Sequence, residues 1–146
     1  MLAKIPSLIL VIIQLVSFGF IVFTGPLIPS NFILVFLLFL GISTGLWAFW
    51  EIRKSKFSPL PEVKRGSRLI TSGPYQVIRH PMYSSLLIIG LALVTNYISL
   101  SRLLALTILA VVLLIKINRE EKSLLRYFKN YPSYQKRTYK LIPFIY

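Results

Sequence analysis

Residues 73–84 read GPYQVIRHPMYS and carry the chain's single histidine, His80, between Arg79 and Pro81, just before an apolar run. Gly73–Pro74 is a turn signal, and Pro81 has the identity favoured at the first position of a helix, where a missing N–H costs nothing. A helix therefore starts at His80 or Pro81. Its free N–H groups carry partial positive charge, so a neighbouring cation is unfavourable by roughly a few tenths to 1 kcal/mol. A carboxylate or phosphate held between the Arg79 guanidinium, the imidazole and the helix end would remove that conflict. The plainer alternative is a basic flank that only sets membrane topology.

A second constellation lies downstream in KINREEKSLLRYFKNYPSY, residues 116–134. On one helix Glu120, Leu124, Tyr127 and Tyr131 fall at i, i+4, i+7 and i+11, with Glu121, Leu125 and Phe128 in a parallel row. Both acids, half of the chain's 4 acidic residues, are thereby directed to an apolar side. An unpartnered carboxylate there is costly or titrates upward. Local pairing of Glu120 with Lys116, or of Glu121 with Arg119 and Lys122, would give an ordinary interfacial amphipathic helix. The chemical alternative is a pocket with Arg79 and His80 on one side and two carboxylates on the other, suited to a bipolar ligand.

The elements that must position these groups are apolar. Hydrophobic residues make up 55% of the 146, charged residues only 14%, and the charges are unevenly spread. This is the pattern of membrane spans separated by polar loops. Apolar stretches at about 5–24, 31–50, 82–96 and 100–117 predict an all-α integral membrane protein of about four transmembrane helices, since lipid leaves unpaired backbone only helix or closed barrel. The expected layout is a first helical hairpin (1–50), a basic loop (51–81), a second hairpin (82–117) and an amphipathic C-terminal cap (118–146).

The loop carries Arg53, Lys54, Lys56, Lys64, Arg65, Arg68 and Arg79. After the fourth stretch come Arg119, Lys122, Arg126, Lys129, Lys136, Arg137 and Lys140, with Lys116 at its end. The positive-inside rule makes both regions and both termini cytoplasmic; Lys4 agrees and Arg102, on an outer turn, dissents. The net charge of +13 then fits anionic lipid headgroups better than nucleic acid, because the bases flank apolar segments. No charge falls deep within a stretch, Glu51 lying at the end of the second, which disfavours a transporter. Cysteine is absent, which excludes thiolate chemistry, and no metal site is expected. Gly41 and Gly45 lie one helical turn apart and admit either packing within the chain or a homodimer contact. Trp47 and Trp50 suit headgroup depth.

Taken together, LITSGPYQVIRHPMY, the later REEKSLLRYF and the terminal YPSYQKRTYKLIPFI resemble the isoprenylcysteine carboxyl methyltransferase family and its relatives, including membrane phospholipid methyltransferases. The resemblance covers roughly residues 66–145. Ser85 stands where the family usually has glycine, and FKNY replaces the usual FGxxY. It implies S-adenosylmethionine bound without a Rossmann domain, with Leu69, Ile70, Tyr75, Arg79, His80, Pro81, Met82, Tyr83, Glu120 and Glu121 around it. Lys116, Arg119 and Glu120 are the candidates for catalytic contact with the acceptor, the two bases by steering a carboxylate.

Methyl transfer from a sulfonium needs chiefly positioning and desolvation, which together can supply about 7 to 11 kcal/mol. A carboxylate acceptor requires no base, whereas an amine such as that of phosphatidylethanolamine must first lose a proton, to Glu120 or Glu121. The acceptor is expected to arrive laterally from the bilayer and the donor from the cytoplasm. A non-catalytic membrane scaffold and a reductase-like relative using another cofactor are the competing readings.

Overall fold

The computed structural model describes residues 6–55 and 66–145, so Lys4, Lys56, Lys64 and Arg65 lie outside the described residues. The apolar stretches form α1 (Ser7–Phe23), α2 (Phe32–Ile52), α3 (Pro81–Asn96) and α4 (Leu100–Tyr127), followed by a short α5 (Tyr131–Gln135). A single 3-10 turn covers Gly73–Gln76, and no strand forms among the described residues. Polar caps set several ends. The Asn31 side chain accepts from the Ile33 N–H at 2.8 Å to start α2, and the Ser99 hydroxyl accepts from the Arg102 N–H at 3.4 Å to start α4.

Two of these helices, α2 and α4, are long and apolar enough to cross a membrane. The expectation of about four spans is corrected to that extent, because α1 has 17 residues and α3 has 16. At about 1.5 Å per residue such helices reach only about 25 Å, short of a hydrocarbon core of about 30 Å. Thr24 ends α1 directly before Gly25–Pro26, and Pro81 delays α3.

The predicted boundary between a fourth span and a separate cap also gives way. Helix α4 runs unbroken for 28 residues through Glu120 and Glu121, so both acids ride on the extension of a core helix. Phe128 ends that helix, and Tyr131 belongs to α5, so the expected continuous rows break there. Leu125 and Tyr127 are exposed.

Helix α2 packs chiefly on α3, and α1 on α4, around a core of Ile21, Leu93, Val94, Ala105, Leu109 and Leu113. The small-residue stripe explains the first pairing. A Cβ at Gly41 would lie 2.7 Å from Ile89, and one at Gly45 would overlap the Ser85 hydroxyl. The stripe faces α3 of the same chain, which is the within-chain packing expected as one alternative for Gly41 and Gly45. Ser85, in the usual glycine place, is accommodated because its opposite number is Gly45. The outer side of α2 exposes Phe32, Phe36, Phe39, Trp47 and Trp50, an apolar surface that suits lipid contact.

Two charges, one expected on an outer turn and one at a span end, are instead among the most buried side chains. Arg102, 1% exposed, donates to the Ile21 and Leu93 carbonyls at 2.7 Å each and to Thr24 Oγ1 at 3.1 Å. It thus caps the last turns of α1 and α3, where helix carbonyls carry partial negative charge. Its dissent from the positive-inside pattern is a packing role. Lys116, 2% exposed, lies inside the bundle on α4.

Candidate functional site at the basic end

The site is built on the loop that enters α3. Gly73 has φ +59°, and a Cβ there would lie 2.6 Å from Glu51 Cγ and 3.0 Å from Trp47 Nε1, so glycine allows the turn to sit on α2. Ser72 Oγ donates to Glu51 Oε2 at 2.5 Å, and Lys54 pairs with the same carboxylate at 2.7 Å. Tyr75 follows, buried, its carbonyl accepting from Tyr134 Oη at 2.6 Å.

From Val77 onward the loop is strapped by the C-terminal tail. Ile78 and Tyr139 form an isolated parallel bridge. The Tyr139 N–H donates to the Val77 carbonyl at 2.9 Å, the Arg79 N–H to the Tyr139 carbonyl at 2.7 Å, and the His80 N–H to the Lys140 carbonyl at 3.1 Å. Ser84 Oγ donates to the Leu141 carbonyl at 2.6 Å. The tail thereby satisfies donors at the start of α3 that the helix cannot.

Arg79 and Glu121 meet here. Arg79 Nε donates to Glu121 Oε1 at 2.7 Å, and both side chains are under a tenth exposed. Arg79 Nη1 also donates to the Gln135 carbonyl at 3.1 Å, to Thr138 Oγ1 at 3.2 Å and to the Thr138 carbonyl. Gln135 Nε2 donates to Glu121 Oε2 at 3.3 Å. The anion that the start of α3 calls for is thus supplied by the chain itself, and the guanidinium is occupied. The partners recorded for Glu121 among the described residues, Arg79, Gln135 and His80, all come from other segments than the flanking bases of a plain amphipathic helix.

His80 sits at the N-cap of α3, 5% exposed. Its Nδ1 lies 3.6 Å from Glu120 Oε2 and its Nε2 lies 3.5 Å from Glu121 Oε1. Nε2 makes no hydrogen bond among the described residues. The imidazole stacks on the Tyr83 ring at 5.6 Å and 7°, and Tyr83 Oη donates to Glu120 Oε2 at 3.1 Å. Glu120 differs from Glu121 in exposure, with 32% of its side chain open against 9%. Half of the acidic pair is therefore locked and half is open.

The phenols around the cluster stay neutral. Burial pushes the ionisation of Tyr75, Tyr131 and Tyr134 well above the usual tyrosine range, and nearby carboxylates add to it, Glu120 at Tyr75 and Glu121 at Tyr131. Tyr134 uses its hydroxyl to donate to the Tyr75 carbonyl, Tyr131 Oη is buried without a hydrogen-bond partner among the described residues, and none of the three is a base. Among the described residues no group of three or more His, Cys, Asp or Glu side chains is placed to hold a metal ion.

Of the other residues singled out above, Pro81 is buried, Met82 is half-buried at the start of α3, and Leu69 and Ile70 are half-buried in the extended approach to the turn. Lys116 Nζ donates to Gln14 Oε1 on α1 at 2.6 Å and lies 5.3 Å from the Tyr83 ring centroid. Arg119 is half-buried one turn from Ser123, whose hydroxyl donates to its carbonyl. Gln14, Gln135 and Thr138 escape sequence reasoning. Gln14 alone left a signal, as the one amide in the apolar run 7–23.

A family model described as phospholipid methyltransferase matches residues 30–131, which hold α2, α3, α4, His80 and both acids. The chain belongs to the phospholipid methyltransferase family. The isoprenylcysteine likeness remains one of motifs. The chain is also similar to the nickel-cobalt-cadmium resistance protein NccN of Alcaligenes xylosoxydans xylosoxydans, 34% identical over 82 residues. That stretch is 55% of this chain and 38% of NccN, so the chain spans well under half of that relative.

Proposed function

We propose that this phospholipid methyltransferase family member moves a methyl group from S-adenosylmethionine to a lipid-dissolved acceptor at the basic end of the bundle. The observation that carries this is the joining of His80, Tyr83 and the open carboxylate of Glu120 at one place, from segments 37 residues or more apart. The donor set fits the cofactor's chemistry. An open carboxylate suits ribose hydroxyls or an ammonium, and His80 lies buried between the two acids, Nδ1 3.6 Å from Glu120 and Nε2 3.5 Å from Glu121. Tyr83, His80, Met82 and Glu120 would hold it, with Tyr75 behind them, while Arg79 and Glu121 brace the wall.

When bound, S-adenosylmethionine supplies a methyl group on positively charged sulfur that departs as a neutral thioether. The chain's own part is to place the acceptor and exclude water. An amine acceptor must shed a proton before it attacks, and Glu120, hydrogen-bonded by Tyr83, is the group positioned to take it. The family description favours such a phospholipid headgroup. A carboxylate acceptor needs no base and would draw on Lys116 or Arg119. The basic Arg53, Arg68, Lys136 and Arg137 support the reading that this end meets the anionic cytoplasmic leaflet, where a soluble donor and a bilayer-borne acceptor would come together.

Calorimetric titration of detergent-purified protein with S-adenosylhomocysteine tests the reading. Saturable one-to-one binding is expected, and absence of heat at millimolar ligand would overturn it. Incubation with labelled donor and mixed lipids then shows whether the label leaves in an amine or an ester.

A further inference from the structure

Lys116 and Glu120 stand four residues apart on α4, a spacing at which opposite charges on a helix commonly pair. No ion pair joins them among the described residues. Lys116 instead donates a hydrogen bond to Gln14, and Glu120 is contacted by Tyr83 and His80. Gln14 projects from α1, a helix outside residues 30–131, and is the only amide among seventeen otherwise apolar or hydroxyl residues. An amide carried into an apolar bundle needs a partner, and so does a fully buried ammonium. Each satisfies the other across the α1–α4 contact.

Keeping the two charges apart has a chemical consequence. A closed Lys116–Glu120 pair would neutralise the one open carboxylate of the site and turn the ammonium away from Tyr83. With the pair open, the ammonium sits 5.3 Å from the Tyr83 ring centroid, and the carboxylate keeps its contacts with Tyr83 and His80. We infer that Gln14 is a positioning residue: it holds Lys116 away from Glu120, so that the carboxylate stays open to the methyl donor. This rests on the function proposed above.

The test is S-adenosylhomocysteine affinity, a readout independent of turnover, in wild type, Gln14→Leu, Gln14→Glu and the double variant Gln14→Leu/Lys116→Met. Gln14→Leu frees Lys116 to close on Glu120 and weakens binding about tenfold. Gln14→Glu still holds the ammonium and stays within about twofold of wild type. Removing the ammonium in the double variant brings affinity back, a recovery that general damage to α1 would not show. If Gln14→Leu yields no folded protein, Gln14→Asn, too short to reach, carries the same expectation. Wild-type affinity in Gln14→Leu, or a double variant as weak as the single one, overturns the inference while the proposed function stands. A wild type that binds no ligand overturns both.

Discussion

Arg79 and Glu121, forty-two residues apart, form a 2.7 Å ion pair in which both side chains are under a tenth exposed. Removing one partner of such a pair strands the other without solvent, a loss of about 3–5 kcal/mol, whereas replacing both by apolar groups is often near neutral. Glu121→Ala is therefore expected to destabilise the protein by about that amount, and Arg79→Met/Glu121→Met far less. Thermal unfolding in detergent measures both, and equal losses would remove the bracing role.

Glu120 should behave in the opposite way. Its side chain is 32% open, and its hydrogen-bond donor is the Tyr83 hydroxyl. Glu120→Gln is expected to weaken S-adenosylhomocysteine binding about tenfold while shifting Tm by less than about 2 °C. A large fall in Tm with unchanged affinity would exchange the roles of the two glutamates.

The tail is a structural strap whose removal should open the start of α3. Deleting residues 139–146 takes away the acceptors of the Arg79 and His80 N–H groups and of Ser84 Oγ. Fast hydrogen exchange at those two amides and a loss of donor binding are expected. Ser84→Ala, which deletes one of these bonds, should cost only about 1 kcal/mol. Slow exchange in the truncated chain would refute the strap.

Close packing of α2 on α3 predicts a pairwise rescue. A methyl at Gly45 meets the Ser85 side chain, so Gly45→Ala should destabilise by about 1–3 kcal/mol. Adding Ser85→Gly should return most of it, with stability compared by thermal unfolding of the single and double variants. A Gly45→Ala chain as stable as wild type would refute the packing.

Much of this was legible in the residues. Four apolar runs, the proline start of α3, the two acids near its basic end and the small-residue stripe all follow from local chemistry and helical period. Each depends on neighbours within about a turn or two. The errors have one source. Glu121 was grouped with Glu120 because period gives direction and not depth. Lys116 was placed at a span end and Arg102 on an outer turn because hydropathy cannot foresee a buried carbonyl or amide on another helix.

The sequence by itself therefore determined that the chain is helical and apolar, and which short segments carry its chemistry. Only the tertiary structure decided that Arg79 is answered by Glu121, that Glu120 is left open, that Gln14 holds Lys116 and that residues 139–141 close over the start of α3. Those are choices of partner between groups distant in the chain. Burial settles them, since a charge out of water must take whatever counter-group the packing brings within reach.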